Sequence, residues 1–168
     1  MGKVPKERIK SSLGAYFHHK GTKLQVNEGK YVVDNTREYY LFDVIPIGAP
    51  RMTQSDRWKT DPNHENPDRR QRKTVTQYWY SKNRLIEQCE KMGFKLDKYF
   101  EAVYFIPMPD SWSEKKKDKM NGFPHESTPD SDNITKFFKD SIKKNDSDVW
   151  WEKVEKRWAY CGSILVYV

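Results

Sequence analysis

Three aspartates and a lysine, Asp130, Asp132, Lys136 and Asp146, stand close together in the stretch PDSDNITKFFKDSIKKNDSDVW, residues 129–150. Carboxylates grouped in this way suit a hard divalent cation, and all-oxygen sites of that kind serve phosphate chemistry. Asp130 and Asp132 fall at a predicted helix start, where one carboxylate suffices as a cap and a second adds repulsion unless a cation intervenes. A bound Mg2+ or Mn2+ removes that conflict. Asp146, on the short connection into the next predicted strand, can return a third carboxylate to the same place. Lys136 lies one turn beyond Asp132, placed to stabilise a developing pentavalent phosphate or to orient the attacking water.

The helix that carries them is amphipathic. At 100° per residue Asp132, Lys136, Lys139, Asp140 and Lys143 fall within an arc of about 100°, opposite Ile134, Phe137, Phe138 and Ile142. A capped helix with a solvated face explains the same pattern, and spacing alone leaves both readings open.

The elements that must position this helix are legible in part. YYLFDVIPI (39–47) is rich in β-forming residues and predicts a strand, followed by a basic loop, GAPRMTQSDRWK. After Pro62, Asn63, Asn66 and Pro67 a helix is expected from Lys73 to Met92, stopped by Gly93. FEAVYFIP (100–107) predicts a second strand. Ser111 to Glu114 fits a capping box opening a short basic helix, EKKKDKM, closed by Asn121 and Gly122. Val149–Tyr160 and Ser163–Val168 predict two more strands, paired as a hairpin across Cys161 and Gly162. The expected fold is α+β, a mostly antiparallel mixed sheet packed with helices in a single domain. Residues 1–38, basic, weakly patterned and interrupted by Gly14, Gly21 and Gly29, read as a loosely packed N-terminal extension of unknown role before a domain at 39–168.

Composition narrows the partners. The chain of 168 residues carries 31 Lys and Arg against 24 Asp and Glu, a formal charge of +7, so its surface attracts polyanions, with nucleic acid first among them. Six Trp, ten Tyr and eight Phe supply a core and separate the chain from a charged disordered tail. No window is apolar enough to span a bilayer and Met1–Lys10 lacks a signal-peptide core, so no membrane partner is expected and the location is cytoplasmic. Cys89 and Cys161 are far apart, without zinc-site spacing or a disulfide framework.

Four blocks carry a resemblance: PRMTQSDRWK (50–59), PMPDSWSEKKKDKMNGFPH (107–125), PDSDNITKFFKDSI (129–142) and NDSDVWWEKVEKRW (145–158). In this order and spacing, over about 43–168, the chain resembles the RusA-like family of Holliday junction resolvases, crossover junction endodeoxyribonucleases common in bacteriophages and prophages. That family uses two aspartates separated by one residue before a helix, a lysine on the helix and an aspartate after it. The resemblance places these roles on Asp130, Asp132, Lys136 and Asp146, the group already selected on physical grounds. It also implies a homodimer, dependence on magnesium or manganese, and paired nicks across a four-way junction. One departure stands out. Family members often have two acids in a row before the last strands, and here the first is Asn145, which leaves Asp146 as the ligand and Asp148 as a substitute for the lost acid.

DNA contacts are expected from the basic segments. Arg51, Arg57 and Lys59 read as phosphate contacts that position DNA without reading its sequence. Arg69, Arg70, Arg72 and Lys73 form a denser cluster at a helix start, where acids are the norm, and suggest a DNA-facing surface or a flexible loop. Lys115, Lys116, Lys117 and Lys119 offer another stripe, with Lys116 at its centre. His125 reads as structural or exposed. Trp112, Trp150, Trp151 and Trp158 offer stacking surfaces for unpaired bases, although Trp150 and Trp151 are assigned to core or interface. The leading function is a structure-selective endonuclease resolving branched DNA by metal-dependent hydrolysis. The alternatives are a nuclease without branch selectivity and a DNA-binding module without catalysis.

Overall fold

The run from Phe100 to Ile106 is buried at every position but Glu101. A strand covered on both faces must lie inside a sheet with layers above and below it. The computed structural model, which describes residues 13, 15–17, 24–27, 30–33 and 37–167, shows that arrangement. In chain order the elements are β1 (Leu24–Asn27), β2 (Lys30–Val33), β3 (Arg37–Phe42), α1 (Lys73–Met92), β4 (Tyr99–Pro107), α2 (Glu114–Met120), α3 (Ser131–Ile142), β5 (Trp151–Ala159) and β6 (Ser163–Tyr167). They form one six-stranded sheet in the order β1-β2-β3-β6-β4-β5. Among the described strands only the β4–β5 pairing is parallel; the other pairings are antiparallel, so the fold is α+β with a mixed sheet.

Strand alternation sorts the side chains onto two cores. Phe42, Phe100, Ala102, Tyr104, Ile106, Ile164 and Val166 meet α1 and α3 on one face. Tyr39, Val103, Phe105 and Leu165 meet Leu13, Tyr16 and Phe17 on the other. The stretch before Tyr39, expected to pack loosely, therefore contributes β1 and β2 to the sheet and three side chains, each at most 2% exposed, to the second core. Met1–Lys10, Gly14, Gly21, Gly29 and Val168 lie outside the described residues.

Three boundaries differ from expectation, each for a local reason. The strand predicted to reach Ile47 ends at Phe42, because α1 takes over the next backbone groups. Arg84 donates to the Asp43 carbonyl at 2.7 Å and carboxylate at 2.6 Å, and the Asp43 N–H donates to Gln88 Oε1 at 2.8 Å. Helix α2 is capped by Ser113, whose hydroxyl accepts from the Lys116 N–H, and not by Ser111; a turn from Trp112 N–H to the Pro109 carbonyl occupies the earlier residues. The hairpin between β5 and β6 does not form. β4 lies between them, as the strand with apolar side chains on both faces must, and residues 160–162 cross over it. The crossing needs Gly162, where a Cβ would fall 2.6 Å from the Ile45 Cα. Helix α1 has its expected bounds and ends on Gly93 at φ 65°.

Candidate active site

Helix α3 is seated by its apolar stripe. Ile134, Phe137 and Phe138 are fully buried, with Tyr78 at 5.7 Å from Phe137 and Phe100 at 5.5 Å from Phe138. The Thr135 hydroxyl donates to the Ser131 carbonyl at 2.8 Å and accepts from the Tyr104 hydroxyl at 3.2 Å. Truncating either phenylalanine to alanine costs about 3–5 kcal/mol by the usual scale, so the helix cannot readily roll. Asp132, Lys136 and Asp140 are thereby held toward solvent.

The turn that delivers Asp130 is pinned from two sides. From β5, the Lys156 ammonium donates to the carbonyls of Ser127 and Pro129, each at 2.8 Å. From the loop after β3, the Ala49 N–H donates to the Asn133 carbonyl at 3.2 Å, and a Cβ on Gly48 would stand 3.1 Å from the Pro129 Cβ. The peptide between Thr128 and Pro129 is cis. Asp130 occupies the N-cap position with extended backbone, yet its side chain makes no capping hydrogen bond. Asp130, Asp132 and Lys136 have no ion pair among the described residues, so the fold leaves their charge unspent.

Asp146 is placed differently. Its carboxylate lies 3.8 Å from the Lys139 ammonium, which also contacts Glu152 of β5 at 3.0 Å. Asp148 is engaged elsewhere, by Lys143 at 2.7 Å, and that hydrogen bond holds its carboxyl below the ordinary range. Asn145 uses its side-chain oxygen to accept from the Ser147 N–H at 3.1 Å, a local turn. The structure thus brings Asp130 and Asp132 together at the start of α3 with Lys136 one turn on, and sets Asp146 on Lys139. Among the described residues no three His, Cys, Asp or Glu side chains are grouped so as to hold a metal ion. The donors suit a hard cation by their chemistry, being three carboxylates of which two, Asp130 and Asp132, are exposed and have no ion pair among the described residues. The Lys139–Asp146 contact is half-exposed and therefore worth no more than about 1 kcal/mol, a weak hold for a cation to compete with.

Sequence reasoning passed over Lys156 and Glu152, although a signal was present. Val154 and Trp158 pack on the helix-bearing core, and period-two alternation puts Glu152 and Lys156 in the same row. Charged residues in a row whose other members face a core need partners. Here the partners are Lys139 and the carbonyls before α3.

The basic residues fall into two groups. Arg51, Arg57, Lys59 and Arg69 form no salt bridge among the described residues; Lys59 and Arg69 line a cleft of about 380 Å3 with Ser55, Trp58, Thr60, Asp61 and His64. Arg70 donates to the carbonyls of His64 and Glu65, and the Lys116 ammonium lies 3.9 Å from the Trp112 ring. Arg72, expected on a DNA-facing surface or a flexible loop, instead braces the loop: it donates to both oxygens of Asp56 at 3.0 and 2.6 Å and to the Arg51 carbonyl at 2.8 Å. The Arg72 guanidinium, followed by the Thr53 N–H, holds the Asp56 carboxyl well below the usual carboxylate range.

His125 is buried, with its ring 4.1 Å from that of Trp158, which in turn meets Trp112 at 4.9 Å. Burial, then the neighbouring Lys156, lowers its pKa, and its Nδ1 has no hydrogen-bond partner among the described residues. Trp150 and Trp151 are 74% and 42% exposed, so neither belongs to the core.

Searches of curated proteins and of solved structures returned no match. A comparison with protein families matches residues 48–168, more than half of the chain, to the family described as Endodeoxyribonuclease RusA. The match spans the loop at Gly48 and Ala49 that pins the turn before α3, the whole of α3, and β5 with its Lys156. With those parts inside one family's bounds, the chain belongs to the RusA endodeoxyribonuclease family.

Proposed function

We propose that this protein is a divalent-metal-dependent endonuclease that resolves four-way DNA junctions, acting as a homodimer in the cytoplasm of a bacterial or phage-infected cell. The observation that carries the reading is Asp130: it sits at a helix N-cap without capping, beside an exposed Asp132 and an exposed Lys136. Carboxylates that the fold leaves unused at a helix start are available to Mg2+ or Mn2+.

In this reading Asp130, Asp132 and Asp146 hold the metal, with Asp146 exchanging Lys139 for it. When bound, the metal acidifies a water and neutralises phosphate oxygens. The Lys136 ammonium stabilises the negative charge that builds on the phosphate as the water attacks. Lys156 fixes the turn carrying Asp130, so the first carboxylate is set before substrate arrives. Arg51, Arg57, Lys59, Arg69, Arg70 and Lys116 contact phosphates and locate the duplex arms. Two copies of the site related by a two-fold axis supply the paired nicks.

One observation favours a second reading, a DNA-binding module without catalysis: Asp146 and Glu152 both contact the Lys139 ammonium. Incubating the protein with labelled four-way junction, fork and linear duplex in Mg2+, Mn2+ and EDTA separates the two. The proposal expects junction cleavage in either metal and none in EDTA. Binding without cleavage in both metals supports the module, and equal cleavage of all three substrates removes branch selectivity. Light scattering of free and junction-bound protein tests the dimer.

A further inference from the structure

The loop between Arg51 and Arg72 presents an indole for which the fold has no use. Trp58 is 86% exposed, the most exposed of the large hydrophobic side chains described. The exposure is not slackness of the loop. Arg72 ties Asp56 to the Arg51 carbonyl, the Asn66 side chain accepts from the Asp68 N–H at 2.9 Å, and Arg70 clamps the His64 and Glu65 carbonyls.

Trp58 borders the cleft of about 380 Å3, whose remaining walls include Lys59, Asp61, His64 and Arg69. One wall is thus an indole, and the others carry two cations, a carboxylate and an imidazole. His64 Nδ1 accepts from the Asn66 N–H at 3.1 Å, which puts the proton of the neutral ring on Nε2 and makes that edge a donor. An aromatic platform flanked by cations matches one ligand in particular, a nucleotide unstacked from its neighbours, because every base has a π-face and every phosphate a charge. At about 380 Å3 the cleft has the size of one such nucleotide. The Ala49–Asn133 hydrogen bond fastens the chain just before this loop to α3.

We infer that this cleft captures a single unstacked nucleotide of branched DNA, its base on Trp58 and its phosphate between Lys59 and Arg69. Asp61 and His64 offer an acceptor and a donor to the base edge. The inference rests on the nuclease reading above and adds to it a means of preferring branched over linear DNA, since bases at a branch point leave the stack at lower cost than bases inside a continuous duplex.

The test uses the full chain and its Trp58→Ala and Trp58→Phe variants, with oligo(dT), a four-way junction and a linear duplex as probes. Trp58→Ala is expected to weaken oligo(dT) and junction binding roughly tenfold, the usual effect of losing one base–aromatic stack. Duplex binding should stay within about twofold, since phosphate contacts remain. Trp58→Phe should recover most of the loss, and oligo(dT) should quench the parent's tryptophan fluorescence more than that of Trp58→Ala. Equal weakening on all three probes, or none on any, overturns the inference, as does a change of oligomeric state in Trp58→Ala, which would make the indole a contact between copies. A parent that binds and cuts junctions while Trp58→Ala is indifferent sinks the stacking site alone. A parent that binds no DNA sinks the nuclease reading with it.

Discussion

The Lys156 ammonium on β5 reaches the carbonyl of Pro129, the residue before Asp130, at 2.8 Å, and makes a second bond of equal length to the Ser127 carbonyl. A strand side chain therefore fixes the main chain of the turn that carries the first candidate metal ligand. Hydrogen bonds from a charged donor are worth about 1.5–3 kcal/mol each where water is limited. Lys156→Met should slow junction cleavage by about tenfold or more, while junction affinity in EDTA changes little. Lys156→Arg, which keeps the charge and several donors, should retain more of the rate. Single-turnover cleavage beside gel-shift affinity makes the comparison; equal losses in both would make Lys156 a phosphate contact.

Asp132→Asn keeps side-chain size and removes the charge that a hard cation needs. The variant should fold and bind junctions in EDTA at least as well as the parent, because a negative charge near phosphates is gone. Cleavage in Mg2+ should fall by at least about a hundredfold. Asp130→Asn and Asp146→Asn should behave alike. Asp140→Asn, exposed two turns further along α3, should remain within about threefold of the parent. Near-parental cleavage by Asp132→Asn would remove the proposed site.

Lys136 is exposed and has no ion pair among the described residues, so replacing it costs the fold little. Lys136→Ala should lower the cleavage rate by roughly 100- to 1000-fold, the scale for losing one group that stabilises transition-state charge. Junction binding should weaken by only about threefold, as for one phosphate contact. Parallel losses in rate and affinity would count against a catalytic role.

His125 gives a dependence of stability on pH. Burial against Trp158, then the charge of Lys156, depresses its pKa below the ordinary 6.5. The folded state thus binds the proton less readily than the unfolded state. Stability is full above about pH 6.5 and declines as pH falls from there through the depressed folded pKa, in a range where most carboxylates have not yet titrated. Thermal melting of the parent at pH 7.5 and 5.5 should show the decline, and His125→Gln should flatten it. An unchanged slope in the variant would assign the decline to other groups.

What could be read from the sequence was local. Helix α1 and its stop at Gly93, the apolar stripe of α3 and the position of β4 all follow from periodicity and caps, which short segments carry by themselves. The pairing of β6 with β3 and β4 was not legible, because adjacency in sequence favours a hairpin and only the two-sided burial of β4 overrules it. The candidate site divides in the same way. Asp130, Asp132 and Lys136 are neighbours on one helix and could be grouped by spacing. Lys156 and Glu152 act on main chain and side chains far off in sequence, with Ser127 and Pro129 for one and Lys139 for the other. Asp146 was placed by proximity to the next strand, and its contact with Lys139 could not be foreseen from that.

β5 is the outermost strand on its side of the sheet, and such a border is where foreign chains add and aggregates begin. Half of this border is already sealed. Gly122 and His125 donate to the Trp158 and Lys156 carbonyls, and the Trp158 N–H donates to the Phe123 carbonyl, at 2.8 to 3.0 Å. The rest carries Glu152, Lys153 and Glu155, and charged side chains along an unpaired border discourage a neighbour from docking in register. The segment that closes the border is the one that runs on to Asp130. Stripping it away, by proteolysis or by a cut in the loop after His125, would therefore disable the candidate catalytic group and open a template for self-association in one event.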